Sequence, residues 1–429
     1  MSHGMTLNMK IAVIGSGISG LGAGWILSES HEVHLYESEA RLGGHAHTVD
    51  VDEGTQKIPV DTGFLVYNEL TYPNLIGFFK ALGVETIGSD MSLSIMAKKD
   101  NVEWAGNNLN SVFGQRKNLF SPAFYYMLFE IMRFGREAEA NLALARRHAW
   151  SLGELLDKRR YSKRFLNHYL LPIGAAIWST PEGEMLSFPA ETFITFFINH
   201  KLLQVNDRPQ WRTVKNGSRQ YVDKAAKKIP RIHLSSPVSA VERKDGKVFV
   251  TSLGVTETFD RVVFATHAPV TMKILKDQSE KENQILNSVQ YENNRTILHS
   301  DPNFMPETKV CWSSWNVLGT GTGGFAKKIS LTYFINTLQS LPTKRNYFVT
   351  LNPHKEISQP IQEFSYDHPK FDQTAIRAQR DLDLIQGNGG VYFAGAWTRY
   401  GFHEDGILSA VKVSELLGVT APWVQTQEK

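Results

Sequence analysis

What this chain can fold into is constrained most by KIAVIGSGISGLGAGWILSES, Lys10 to Ser30, where an apolar run meets glycines at positions 15, 17 and 20. The glycines interrupt a continuous helix interior, which counts against a secretory leader, and they suit a strand, a tight turn and then a helix. EVHLYE, Glu32 to Glu37, reads as a second strand parallel to the first, completing a βαβ unit. In such a unit Gly15 permits the turn, Gly17 lets the backbone approach a pyrophosphate, and Gly20 lets the helix pack against the sheet. Ser16, Ile18 and Ser19 share that turn, and the helix it opens points unpaired N–H groups and a positive dipole end at an anion.

The same spacing recurs in GTGTGG, Gly319 to Gly324, and context separates the two copies. Glu37 ends the second strand 22 residues after Gly15, where a carboxylate can accept from both ribose hydroxyls. The later copy has no such carboxylate, carries Phe325 where a phosphate loop needs lysine, and runs into the alternating KISLTYFI; it reads as a hairpin loop. Glu37 also disfavours a 2′-phosphate, so NADP is set aside while NAD and FAD remain.

The 429 residues, 42% of them hydrophobic, suffice for two or three compact units. A net charge of only +3 gives no reason to expect nucleic acid. The lone cysteine, Cys311, excludes an internal disulfide framework and suits a reducing compartment, so a cytoplasmic location is expected. No run of eighteen apolar residues marks a membrane span. The expected fold class is α/β: a Rossmann-like dinucleotide domain from residues 9–90, 211–275 and 372–429, and a mixed-sheet and helical substrate domain from 91–210 and 276–371. A helical insert is expected around 120–203, with starts at Ser121-Pro122 and at a Ser151/Glu154 capping box. Hairpins are expected at Glu53-Gly54 and Asp245-Gly246, and strands at Arg295–His299, Val310–Trp315, Ile329–Ile335 and Tyr347–Leu351.

ESEARLGGHAHTV, Glu37 to Val49, narrows the choice. Glu37, Arg41, Gly43 and Gly44 match the E-x-x-x-R-x-G-G pattern, and the chain resembles the flavin-containing amine oxidase superfamily. The resemblance implies FAD, held non-covalently because Cys311 does not match the family's covalent cysteine, with Ser38, Arg41, Gly43 and Gly44 along the ADP half. VDTGFLV, with Thr62 and Gly63, is similar to the segment beside the isoalloxazine. SPVSAVER places Val238 where the family pairs backbone with adenine. VYFAGAWTRYGFHEDGILSAVKV, Val391 to Val413, resembles the C-terminal flavin motif, with Gly395 near the pyrophosphate and a helix starting near Asp405-Gly406, after Glu404, aimed at the flavin. More narrowly, GGHAHTV, VDTGFLVYNELTYPNL and GFHEDG resemble a bacterial amine-oxidase-like subgroup associated with cyclopropane-fatty-acid-synthase-type enzymes, which implies a lipid acyl chain as substrate.

The resemblance therefore implies an FAD-dependent oxidoreductase taking hydride from an apolar substrate and passing electrons to oxygen or a quinone. The alternatives are an amine oxidase and a redox-neutral lipid isomerase. Amine oxidases carry a lysine near the flavin on the strand that here reads YENNRTILHSD, with Asn294, Arg295 and Thr296 about that place. Tyr67 and His403 are the candidate catalytic groups, one orienting and one a base, against a reading of both, and of Trp397, as packing. No metal site is expected. FYYMLFEIMRF, Phe124 to Phe134, and FITFFINH, Phe193 to His200, either form the insert's core or line a channel for a long apolar substrate. Basic residues from Arg133 to Arg164 either form a solvated face or meet lipid headgroups, so peripheral membrane contact is an expectation. Oligomeric state is not encoded legibly.

Overall fold

The computed structural model describes residues 8–178, 181–203, 209–319 and 329–425. The opening unit folds as its pattern dictates: β1 (Lys10–Ile14), α1 (Ile18–Leu27) and β2 (Glu32–Tyr36), with β1 and β2 parallel. Strands β3 (Arg231–His233), β4 (Arg261–Phe264) and β5 (Val391–Phe393) complete a five-stranded parallel sheet in the order β3-β2-β1-β4-β5. One face of the sheet packs on α1 and the helix His403–Leu416, and the other on a three-stranded antiparallel sheet of Val238–Lys244, Lys247–Ser252 and Val255–Phe259 and the helices beside it. The central strands are therefore buried on both faces, as parallel sheets require. Segments hundreds of residues apart thus meet in one sheet, and their carboxyl ends open on one crevice.

The second body is a seven-stranded mixed sheet. Its order is Pro360–Pro369, Tyr291–His299, Phe348–Leu351, Ser330–Phe334, Trp315–Leu318, Leu93–Ala97 and Val102–Ala105. Trp315–Leu318 and Ser330–Phe334 pair antiparallel, so the second glycine repeat connects neighbouring strands; Thr320 to Gly324 lie outside the described residues. The strand expected at Val310–Trp315 is absent: Lys309–Cys311 forms a single 3₁₀ turn, and the strand begins at Trp315. Asn316 closes this bend, its amide donating to the carbonyls of Ser313 and Thr332 while its oxygen accepts from the N–H of Ser313.

Further helices are α2 (Pro73–Leu82), α3 (Pro122–Arg136), α4 (Ala190–Asn199) and α5 (His403–Leu416), of which α4 and α5 line the crevice. Proline opens α2, and Ser121 caps α3 by accepting the N–H of Phe124 at 3.3 Å. The α3 and α4 aromatics divide. Phe124, Met127 and Phe134 of α3 and Phe193 and Phe197 of α4 enter the core, while Tyr125, Tyr126, Phe129 and Met132 of α3 face outward. The hairpins at Glu53-Gly54 and Asp245-Gly246 form as expected, joining Thr48–Asp52 to Lys57–Asp61 and Val238–Lys244 to Lys247–Ser252.

Candidate cofactor and substrate site

The crevice is one continuous cavity of about 550 Å³ running from the α1 turn into the second body. At its polar end Gly15 adopts φ +96°, and a Cβ on Gly20 would lie 1.8 Å from the Gly15 carbonyl oxygen. Both positions are therefore closed to any side chain. Gly17 differs: a Cβ there would meet nothing within 4 Å, so its missing side chain leaves open cavity in front of the α1 N-terminus.

Glu37 is nearly buried and fully engaged by its own loop. One carboxylate oxygen accepts the N–H and hydroxyl of Ser16; the other accepts the Ser38 hydroxyl at 3.1 Å and the Glu39 N–H at 2.9 Å. A ribose would take over the places of the two serine hydroxyls, which are free to rotate. Arg41 braces the glycine pair from behind, donating to the Gly44 carbonyl at 2.8 Å and pairing with Glu39 at 3.1 Å.

At the far side of this end, α5 begins at His403, two residues before the position expected from sequence. It crosses α1 so closely that a Cβ on Gly406 would lie 2.6 Å from Ile18 and 2.9 Å from Ser19. Two helix N-termini thus converge on the cavity, and their unpaired N–H groups favour negative charge. The Asp405 carboxylate accepts the Phe402 N–H at 3.0 Å, and burial raises its pKa to about 7. Glu404 turns away: it accepts the N–H groups of Asn74 and Leu75 at 3.1 and 2.9 Å and the Asn74 amide at 2.7 Å, capping α2.

Of the cofactor residues assigned from sequence, Gly15, Ser16, Gly17, Ile18, Ser19, Glu37, Ser38, Gly43, Gly44, Gly63 and Gly395 line the cavity. Gly20, Arg41, Thr62, Val238, Glu404, Asp405 and Gly406 do not. Thr62 bonds instead to the Tyr366 hydroxyl at 2.8 Å and the His47 carbonyl at 3.1 Å. Val238 lies two residues beyond Ser236, whose N–H donates to the Glu37 carbonyl at 2.8 Å.

The two catalytic candidates separate. Tyr67 is withdrawn from the cavity: its hydroxyl donates to Thr86 at 3.1 Å, and its ring packs edge-on against Tyr72 and Phe79. Its residue type followed the flavin-side motif, but the short strand it belongs to turns it into the core. His403 does line the cavity, stacked on Phe64 with ring centroids 3.7 Å apart, with Nε2 3.1 Å from the Tyr221 hydroxyl. Burial holds its pKa down at about 3, so the ring is neutral near pH 7.

Four further histidines line the cavity and were not singled out from sequence: His45, His200, His267 and His368. The His45 ring lies 6.1 Å from His267 and 5.4 Å from His368, and burial depresses the pKa values of these three, His368 to about 4. Asn294 donates to His368 Nδ1 at 2.9 Å, while its own oxygen accepts from Asn352 at 2.7 Å. With Nδ1 accepting, the neutral His368 ring carries its proton on Nε2. Asn294 stands near the place for which the resemblance expects lysine; Arg295 instead points outward to Glu363. His45 and His267 carried a signal, following a glycine pair and a parallel strand's carboxyl end, where ligands of such sheets bind. His368 carried none, because the second sheet delivers it.

Beyond the histidines the cavity turns apolar. Phe196 and Phe197 of α4, Ile173 and Ile177 of the preceding helix Leu171–Trp178, and Leu93 and Trp104 of the sheet form its walls. No lysine or arginine lines it among the described residues, and its carboxylates are Glu37 at the nucleotide end and Asp367 beside the histidines. The residues fit FAD. Gly17 leaves open space before the α1 N-terminus, and the buried ring nitrogens His45 Nε2 and Trp397 Nε1, both on residues that line the cavity, have no partner among the described residues.

Known proteins agree with this geometry. Amine oxidase [flavin-containing] A of Canis lupus familiaris is 24% identical over 260 residues, a match covering 57% of this chain and 46% of that protein. Among solved structures, putrescine oxidase bound to putrescine superposes with a TM-score of 0.70 at 15% identity, covering 96% of this chain and 99% of its own. A CLA-producing fatty acid isomerase from P. acnes gives a TM-score of 0.66 at 12% identity, covering 95% and 98%. Cyclohexylamine oxidase from Brevibacterium oxydans gives 0.68 at 15%, covering 98% and 100%. At such identities these structures establish the fold alone. The family model described as flavin containing amine oxidoreductase matches residues 18–333, most of the chain, which therefore belongs to that family and has FAD as its cofactor.

Proposed function

We propose that the protein is an FAD-dependent oxidoreductase that takes two neighbouring hydrogens from an elongated apolar substrate, an acyl chain of a lipid, one as hydride and one as a proton, leaving a carbon–carbon double bond, with the electrons passing on to oxygen or a quinone. One observation carries this reading: the cavity runs unbroken from the nucleotide end into an apolar end that offers no charged side chain among the described residues. Such a wall suits hydrocarbon, and the one carboxylate outside the nucleotide end, Asp367, stands beside the histidines and not along that wall.

Bound FAD supplies a two-electron acceptor for hydride. The chain's own residues do the rest. Gly15 to Ser19 and Glu37 with Ser38 would hold the ADP half, and Gly63, Gly395 and His403 would border the flavin half. The aromatic and aliphatic walls exclude water and align the chain. His368, fixed by Asn294, holds a proton at Nε2 as a hydrogen-bond donor to the polar end of the substrate, and His403 stays neutral, its Nε2 engaged by the Tyr221 hydroxyl.

The amine reading is supported by the family itself and by the putrescine and cyclohexylamine oxidases of like fold; an isomerase is supported by the fatty acid isomerase of like fold. Anaerobic absorbance of the holoprotein separates the three. Bleaching of the flavin band by fatty acyl lipids and not by putrescine, cyclohexylamine or aromatic amines is the expected result. Bleaching by amines alone overturns the acyl reading, and conversion of an acyl lipid to an isomer with no net bleaching assigns the isomerase.

A further inference from the structure

Helix α3 is amphipathic in a way its role in the core does not require. Phe124, Met127 and Phe134 are buried, while on the opposite face Tyr125, Tyr126, Phe129 and Met132 stand 47%, 52%, 47% and 59% exposed. Phe120, in the short turn just before the helix, is 88% exposed. The outward residues follow helical spacing, so they form one stripe, and the Tyr126 and Phe129 rings stack along it at 6.1 Å. Isolated exposed apolar side chains need no explanation, but a contiguous aromatic stripe marks an interaction surface.

The border of the stripe identifies the partner. Arg116 and Lys117 are exposed at one end and Arg136 at the other. Between residues 104 and 136 the single acidic residue is Glu130, which is fully buried and accepts the N–H and hydroxyl of Ser162. An aromatic strip bordered by Arg116, Lys117 and Arg136, with no exposed carboxylate between them, suits anionic lipid headgroups above a hydrocarbon layer. It suits a second copy poorly, since a two-fold contact would set these cations against one another. No helix among the described residues is long and apolar enough to cross a membrane, so the contact would lie in the interface plane.

We propose that the outer face of α3 docks the protein on anionic membrane surfaces, with Phe120, Tyr126, Phe129 and Met132 entering the acyl boundary and Arg116, Lys117 and Arg136 meeting lipid phosphates. The surface lies one side-chain layer from the substrate cavity. The Phe124 ring, on the inner face of α3, packs edge-on at 6.3 Å against Trp104, which lines the apolar end. The proposal goes beyond the acyl-chain reading and does not depend on it.

The test is co-sedimentation of the FAD-loaded full chain with vesicles of phosphatidylcholine alone and of equal parts phosphatidylcholine and phosphatidylglycerol. Binding to the mixed vesicles is expected. Tyr126→Ser/Phe129→Ser/Met132→Ser should lower the partition coefficient about tenfold or more through lost apolar burial. Arg116→Glu/Lys117→Glu/Arg136→Glu, a second variant confined to exposed positions, should abolish the preference for phosphatidylglycerol. Both variants should keep the flavin content and the turnover of detergent-dispersed substrate, which separates this proposal from the choice of substrate. Equal partitioning of the parent chain and both variants overturns it. So does failure to bind either vesicle, with or without concentration-dependent self-association that the serine variant removes.

Discussion

His368 shows how much one residue's meaning depends on its partner. The Asn294 amide is held by Asn352 and by the Glu292 carbonyl, so its N–H fixes the imidazole with the ring proton on Nε2. Replacing His368 with alanine should lower the rate of anaerobic flavin reduction by about 10- to 100-fold, the cost of misplacing the reacting carbon once a hydrogen bond that orients the substrate is lost. His368→Gln, which keeps an N–H in a similar place, should recover part of that rate. Stopped-flow absorbance at saturating substrate measures both, and an unchanged rate in the alanine variant removes His368 from the mechanism. Tyr67 teaches the reverse: its place after VDTGFLV was legible, but the direction of its side chain was set by the pairing of Tyr67–Asn68 with Trp211–Val214, more than a hundred residues away.

Among elements, the junction of α5 with α2 is the plainest case of a motif serving two ends. Sequence places GFHEDG beside the cofactor, and His403 does line the cavity, while the neighbouring Glu404 closes the first turn of α2. Its carboxylate serves as a cap donated from another helix, satisfying N–H groups that Pro73 and Tyr72 leave open. Glu404→Ala strands those buried donors and should cost about 1–3 kcal/mol of stability, whereas Glu404→Gln retains an acceptor and should cost less. Urea unfolding followed by far-ultraviolet dichroism checks the order; equal midpoints for all three chains would contradict the cap. Caps between sequence neighbours, Ser121 and Ser151, were readable in advance because the partner lies three residues away. A cap 330 residues away has no local pattern.

Five histidines spread over the whole molecule are held in their neutral form by burial. Burial holds His200, His299 and His368 at about 4 and His403 at about 3, with His45 well below its ordinary 6.5. Between those values and 6.5 the unfolded chain binds more protons than the folded one. The contribution is therefore complete above about pH 6.5 and is lost as pH falls through 4. Asp61, raised to about 6, and Asp405, raised to about 7, act oppositely: the folded chain holds their protons, and that contribution is lost as pH rises through 6 to 7. The histidines are more numerous and outweigh the two aspartates, so the urea midpoint should fall as pH is lowered from 6.5 to 4.5. A flat or rising midpoint across that window would contradict the burial argument.

What the sequence determined by itself was whatever a short stretch of chain can enforce. The α1 turn, Glu37 at the end of its strand, the glycine pair at Gly43 and Gly44, and Gly395 after the last strand all follow from steric limits within a few residues, and with them the family and its cofactor. Tertiary structure alone decided which side chains meet. The Asn294–His368 pair, the Glu404 cap on α2, and Asp61 gathering Thr48, Ser218 and Gln339 join residues from distant segments. Such contacts depend on how sheets and helices pack, and a pattern along one strand or helix carries no record of the surface it will face.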